Sequence, residues 1–268
     1  MEPTRSSADA CDDGSARGGL GLPRVIGHRG AAGSAPENTL AGFRRAAEMG
    51  VRWVELDVQL SADGVPVVFH DDRLERTTNG RGRLVETPLA ALRQLDAGAW
   101  FDAAFRGQRL PTLEEALTAI AGLGMGLCLE VKADEPRGGR TARVALAQAR
   151  QTWPANRPPP LVSSFARSAL AAAAEAAPDW PRGLLVDSLP DDWAGEARRY
   201  GCTSLHTRAG ELRATLVQAI KGAGLAVLAY TVDDPGLAET LWGYGVDAVF
   251  SDRPERLLPI AEGHTGNL

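Results

Sequence analysis

The sequence predicts a (β/α)8 barrel with a small insertion after its second strand. Short apolar segments alternate with helix-patterned segments eight times, which is the rhythm of consecutive parallel strand–helix units. The 268 residues suffice for one barrel-sized core but leave no room for a second full domain. Acidic and imidazole side chains also fall at the ends of the early strands, which a parallel barrel gathers at one mouth.

Residues 24–27 form a short apolar strand. Residues 37–49 follow as a helix, with Leu40, Phe43, Ala46 and Ala47 at helical spacing and Gly50 as the C-cap. Residues 52–60 are the second strand, and the Asp63-Gly64 turn leads into a hairpin strand at 65–70. Periodicity lapses over 71–110, the expected insertion, which would cap the barrel. Thr112 and Glu115 then have capping-box spacing at the head of a helix ending near Gly122. Strands at 126–132, 161–164, 182–186, 203–206, 225–232 and 248–250 alternate with helices at 140–151, 167–177, 191–200, 211–222, 235–244 and 254–261. Pro178 stops the alanine-rich helix, and the proline-rich stretch 154–160 reads as a stiff loop rather than a domain linker.

Residues 1–22 are expected to be a disordered tail, 23–262 the barrel domain, and 263–268 a C-terminal tail. Residues 1–21 are rich in Ser, Asp, Gly and Ala and have no apolar core of a signal peptide, so a cytoplasmic protein is expected. A net charge of -5 without a basic run argues against general binding to nucleic acid or to an anionic membrane. Cys11, Cys128 and Cys202 are far apart and lack C-x-x-C spacing, which disfavours a disulfide framework or a zinc site. No G-x-x-x-x-G-K-S/T, G-x-G-x-x-G or G-x-S-x-G pattern supports a nucleotide site or a serine hydrolase.

Glu55 and Asp57 lie two apart on one strand and therefore share a face, and Glu130 and Lys132 repeat the spacing on the next barrel strand. Ion pairing inside the barrel would explain any one of these acids. Three converging carboxylates are better explained by a divalent metal, Mg2+ or Ca2+ rather than zinc, because the donors are hard oxygens. His28 ends the first strand and His70 the hairpin strand, flanking the acids as a proton-transfer pair. Arg29 offers a fixed fork for phosphate oxygens, Gly30 permits a tight turn, and Asn38 is placed to support the site. Glu37 reads equally well as a favourable charge at a helix N-terminus. His206 reads as structural, and His264 falls in the C-terminal tail.

These residues sit in stretches that resemble the glycerophosphodiester phosphodiesterase family. The matching pieces are HRG at 28–30, PENTLAGF at 36–43, ELDV at 55–58, DG at 63–64, VVFHDD at 67–72, RTTNGRG at 76–82, LPTLEEAL at 110–117 and LEVK at 129–132. The C-terminal half matches more loosely, through SSF at 163–165, YTVDD at 230–234 and SDRPE at 251–255. The resemblance implies a TIM barrel with a small insertion after the second strand, a divalent metal, and hydrolysis of glycerophosphodiesters to sn-glycerol 3-phosphate and an alcohol. It further implies Glu55, Asp57 and Glu130 as metal ligands, His28 and His70 as acid and base, and Arg29 and Lys132 as holders of phosphate oxygens. Tyr230 stands where the family typically has Trp, and would shape the substrate wall. Alternatives are a phosphodiesterase acting on lysophospholipids or phosphoinositide head groups, and a silent barrel that only binds glycerophosphodiesters. Arg73, Arg76, Arg81 and Arg83 make the insertion polar and favour a water-soluble substrate, while the full set of histidines and carboxylates favours an enzyme.

Overall fold

The computed structural model describes residues 20–263. The expected tails, Cys11 and His264 therefore lie almost wholly or wholly outside the described residues.

Eight parallel strands close on themselves: β1 (Val25–Gly27), β2 (Trp53–Leu60), β4 (Gly126–Val131), β5 (Leu161–Ser164), β6 (Arg182–Val186), β7 (Ser204–Arg208), β8 (Ala226–Tyr230) and β9 (Ala248–Ser251). Closure comes from β1, which pairs in parallel with β9 through Gly27 and Ser251 and with β2 through Gly27 and Val54. β3 (Pro66–Val68) returns antiparallel along β2, turning at Gly64, whose φ of 80° favours glycine.

Helices α1 (Leu40–Glu48), α3 (Leu113–Gly122), α4 (Glu135–Thr152), α5 (Arg167–Ala176), α6 (Trp193–Arg199), α7 (Ala214–Gly222), α8 (Pro235–Tyr244) and α9 (Pro254–Gly263) cover the outside. Their apolar stripes pack on outward-facing strand residues such as Val54, Leu127, Leu129, Leu184 and Val227. A smaller cluster inside the barrel, including Ile26, Cys128, Leu161, Leu228 and Phe250, fills its lower part. The barrel interior is thus a packed core rather than a pore, with a cavity at its mouth.

Beyond β3 the chain makes two 3-10 turns (Leu84–Glu86 and Ala103–Phe105) and the short α2 (Leu89–Leu92). Leu74, Leu84, Leu92, Ala97 and Leu110 pack there on Val67 and Phe69, a small core at the barrel rim. The expected capping box is present: Thr112 caps α3 and Glu115 returns to the Thr112 backbone.

Several boundaries differ from expectation for identifiable reasons. Helix α1 begins at Leu40 because Thr39 is its N-cap and Asn38 has φ 54°, so Glu37 and Asn38 stand in the loop before it. Helix α4 begins at Glu135, with a proline in its first turn, rather than near Arg140. A 3-10 turn at Ala209–Glu211 occupies the expected start of α7. The hairpin strand stops at Val68, which leaves His70 on a loop. No helix among the described residues is long and apolar enough to cross a membrane.

Candidate active site

Strands β2 and β4 set the centre of the mouth. Their register aligns Asp57 with Glu130, so side chains far apart in sequence face each other inside the barrel. Oxygens of Glu55, Asp57 and Glu130 all lie within 4.8 Å of one another. Asn38 Nδ2 donates to Asp57 Oδ2 at 2.8 Å, and the Arg29 backbone N–H donates to Glu55 Oε2 at 2.9 Å. Gly30 lets this loop pack closely on α1: its φ is 95°, and a Cβ there would fall 2.8 Å from the Gly42 carbonyl carbon.

Two cations enter the same cluster. Arg29 Nε is 3.4 Å from Asp57 Oδ2, and Lys132 Nζ is 3.1 Å from Glu130 Oε1 and 3.7 Å from Asp57 Oδ1. Ion pairing therefore accounts for part of the acidic charge, but three carboxylates face two cations and Glu55 Oε1 has no hydrogen-bond partner. Burial, with the charges of Asp57 and Glu130, pushes the Glu55 carboxyl well above its usual range. Burial and Asp57 likewise push Glu130 up to about 7. Asp57 goes the other way: burial opposes ionisation, but Arg29, Lys132 and His70, with the Asn38 hydrogen bond, hold its carboxyl below the usual range. Buried carboxylates that oppose one another's ionisation, one of them with an unpartnered oxygen, fit a hard divalent cation.

Each expected histidine leans on a carboxylate. His28 Nδ1 is 2.7 Å from Asp252 Oδ1, and its Nε2 is 4.0 Å from Glu55 Oε2. His70 Nδ1 is 2.6 Å from Asp71 Oδ1. Burial would raise the Asp252 and Asp71 carboxyls, yet hydrogen bonds outweigh it: from His28 for Asp252, and from Arg76 and His70 for Asp71, which falls to about 2. With both carboxylates ionised, each Nδ1 is the donor and each Nε2 is left able to exchange a proton. Gln59 Nε2 holds the His70 loop, lying 3.0, 3.1 and 2.9 Å from the carbonyl oxygens of Phe69, His70 and Asp71.

A cavity of about 380 Å³ opens here. His28, Arg29, Glu55, His70, Glu130 and Lys132 line its polar side; Phe165, Leu185, Tyr230 and Phe250 line the other. The Tyr230 hydroxyl donates to the Val186 carbonyl at 2.8 Å, and its ring meets Phe165 edge to face, so the ring forms wall. His206 lies deep beside the cavity, fully buried, with Nε2 2.9 Å from Ser204 Oγ; burial pushes its imidazole down to about 3, which keeps it neutral.

The structure thus brings together every expected site residue: His28, Arg29, Glu55, Asp57, His70, Glu130, Lys132 and Tyr230. Sequence reasoning gave no role to Asp71, Asp252 or Gln59, and read Arg76 only as a polar surface group. Glu37 stands in the loop before α1, where its carboxylate binds Arg29 and Arg76. Asp71 follows His70 in VVFHDD, Arg76 opens RTTNGRG and Asp252 lies in SDRPE, but nothing local in the chain marks the His28–Asp252 contact across 224 positions.

The sequence profile of the glycerophosphoryl diester phosphodiesterase family matches residues 28–256. A glycerophosphodiester phosphodiesterase of Caldanaerobacter subterraneus subsp. tengcongensis is 34% identical over 235 residues, covering 87% of this chain and 96% of the relative. Among solved structures, an Oleispira antarctica phosphodiesterase in complex with the product sn-glycerol-3-phosphate superposes with a TM-score of 0.87 at 44% identity, covering 90% of this chain and 97% of the other. A glycerophosphodiester phosphodiesterase of Agrobacterium tumefaciens str. C58 gives a TM-score of 0.72 at 28% identity, covering 89% and 100%. Barrel, mouth and likeness agree, and the chain belongs to the glycerophosphoryl diester phosphodiesterase family.

Proposed function

We propose that the protein hydrolyses small glycerophosphodiesters to sn-glycerol 3-phosphate and an alcohol, using a divalent ion and two histidines. The observation that carries this reading is the meeting of three carboxylates within 4.8 Å of one another, flanked by two carboxylate-held imidazoles. The similar Oleispira protein holding sn-glycerol-3-phosphate supports the product. The cavity volume suits a small ligand. The insertion offers ion pairs, Arg73–Glu75 and Arg83–Glu86, rather than an apolar groove, which supports a water-soluble diester over a lysophospholipid.

Glu55, Asp57 and Glu130 would hold Mg2+ or Ca2+, which supplies electrostatic stabilisation of charge building on the phosphoryl oxygens. Arg29 and Lys132 bind those oxygens. One imidazole Nε2 takes the proton of the glycerol C2 hydroxyl, whose oxygen attacks phosphorus as the P–O bond to the alcohol breaks. The other imidazole, protonated, gives its proton to the departing oxygen. Tethering makes this attack intramolecular. Water then opens the cyclic phosphate with the proton roles reversed. The Tyr230 and Phe165 rings bound the substrate's carbon skeleton.

A panel of glycerophosphodiesters, assayed for glycerol 3-phosphate with Mg2+, Ca2+ or chelator, tests the reading. Ion-dependent release is expected, together with capture of a cyclic glycerol phosphate. A substrate lacking the C2 hydroxyl but cleaved equally fast would refute the cyclic route, and no release from any diester would refute the function.

A further inference from the structure

Arg76, in the insertion, carries two carboxylates at once. Its Nε and Nη2 lie 2.6 and 2.8 Å from Asp71 Oδ2 and Oδ1; its Nη1 and Nη2 both lie 2.7 Å from Glu37 Oε2 and Oε1. Those carboxylates continue in opposite directions. Asp71 Oδ1 is 2.6 Å from His70 Nδ1, and Glu37 Oε1 is 2.8 Å from Arg29 Nη1. An unbroken line of hydrogen bonds thus runs from His70 through Asp71, Arg76 and Glu37 to Arg29.

A single ion pair at a protein surface contributes little. Arg76 differs, because the guanidinium fork is engaged on two sides by acids that are themselves largely shielded: the Glu37 side chain is 9% exposed and that of Asp71 23%. Burial would raise the Glu37 carboxyl, but the Arg76 hydrogen bonds and the Arg29 charge lower it, so the acid stays ionised between its two arginines. Without Arg76, Asp71 would be anchored only by the imidazole it orients, and Glu37 only by Arg29.

We propose that Arg76 is a positioning residue that holds His70, through Asp71, and Arg29, through Glu37, in fixed relation across the cavity. The insertion therefore belongs to the catalytic apparatus. This inference rests on the reading of His70 and Arg29 as the proton-transfer and phosphate-binding groups. Geometry rather than charge does the work, since an ammonium in place of the fork cannot serve both carboxylates bidentately.

A double-mutant cycle in the metal-supplemented enzyme tests it. Arg76→Ala should lower kcat/KM by on the order of 10- to 100-fold, the scale of misplacing a catalytic group by about 1 Å. Asp71→Asn should act mainly on kcat and Glu37→Gln mainly on KM. The Arg76→Ala/Asp71→Asn double variant should be about as slow as the slower single variant, because both break one line of contacts. Arg76→Lys should not restore activity, and it replaces Arg76→Ala in the cycle should the alanine variant fail to fold. Multiplying effects in the cycle, or full activity in Arg76→Ala or Arg76→Lys, would overturn the proposal. His70→Ala separates the two levels: if it is active, the underlying reading fails; if it is inactive beside a fully active Arg76→Ala, this inference alone fails.

Discussion

Asp252, just past the last barrel strand, lies 2.7 Å from Nδ1 of His28, just past the first. Barrel closure makes this contact, because β9 and β1 pair in register and the His28 backbone N–H donates to the Ser251 carbonyl. The lowered Asp252 carboxyl fixes the imidazole with Nδ1 as donor and Nε2 open.

Asp252→Asn should therefore slow turnover by on the order of 10- to 100-fold, as loss of an orienting carboxylate does, with the fold intact. His28→Ala and His70→Ala should each cost on the order of 10^2- to 10^4-fold. Steady-state kinetics beside a melting curve checks both; an Asp252→Asn variant with unchanged kcat would remove the orienting role.

Ion binding should release protons below about pH 7. Burial and Asp57 raise Glu130 to about 7, and Glu55 is raised as well, so the ion-free site binds protons that a divalent cation must displace. A carboxyl raised on folding contributes stability in full below its unfolded value and loses it as pH rises through the folded value. The contribution of Glu130 to the ion-free protein should thus fade between about pH 4.5 and 7. Glu130→Gln should flatten this pH dependence of the melting temperature and remove the further stabilisation that added ion gives to the wild type. Calorimetry in buffers of differing ionisation enthalpy measures the protons; ion affinity that is constant from pH 5 to 8 would contradict the assignment.

Gln59 should support His70 without touching substrate. Gln59→Leu leaves the Phe69, His70 and Asp71 carbonyls without that donor, so a stability loss of about 1–3 kcal/mol is expected. Turnover should fall with it as the loop carrying His70 loosens. Urea unfolding and kcat together check this; a variant unchanged in both would show that the clamp is idle.

Much of this was legible in the chain because it is local. Strand–helix alternation, the Asp63-Gly64 turn and the Thr112–Glu115 box each depend on neighbours in sequence, and the two-residue spacing of Glu55 with Asp57 and of Glu130 with Lys132 sets a shared face. What stayed hidden depends on registry and long-range closure. Neither the alignment of Asp57 with Glu130 nor the meeting of His28 with Asp252 has a sequence signal. Asn38 illustrates the middle ground: its place near the first helix is readable, but its left-handed φ of 54°, which keeps it in the loop before the helix with its amide on Asp57, is not. Arg76 reads only as one of several arginines that make the insertion polar, because an arginine in an aperiodic stretch shows nothing of the two acids it joins.

Whether Glu55, Asp57 and Glu130 hold one ion without which the histidines cannot act is answered by titrating chelator-treated protein with Mg2+ or Ca2+ while following glycerol 3-phosphate release. Negligible turnover is expected at the start and full activity at one ion per chain, with Glu55→Gln, Asp57→Asn and Glu130→Gln each needing far more ion. Full turnover in the ion-free protein would contradict this.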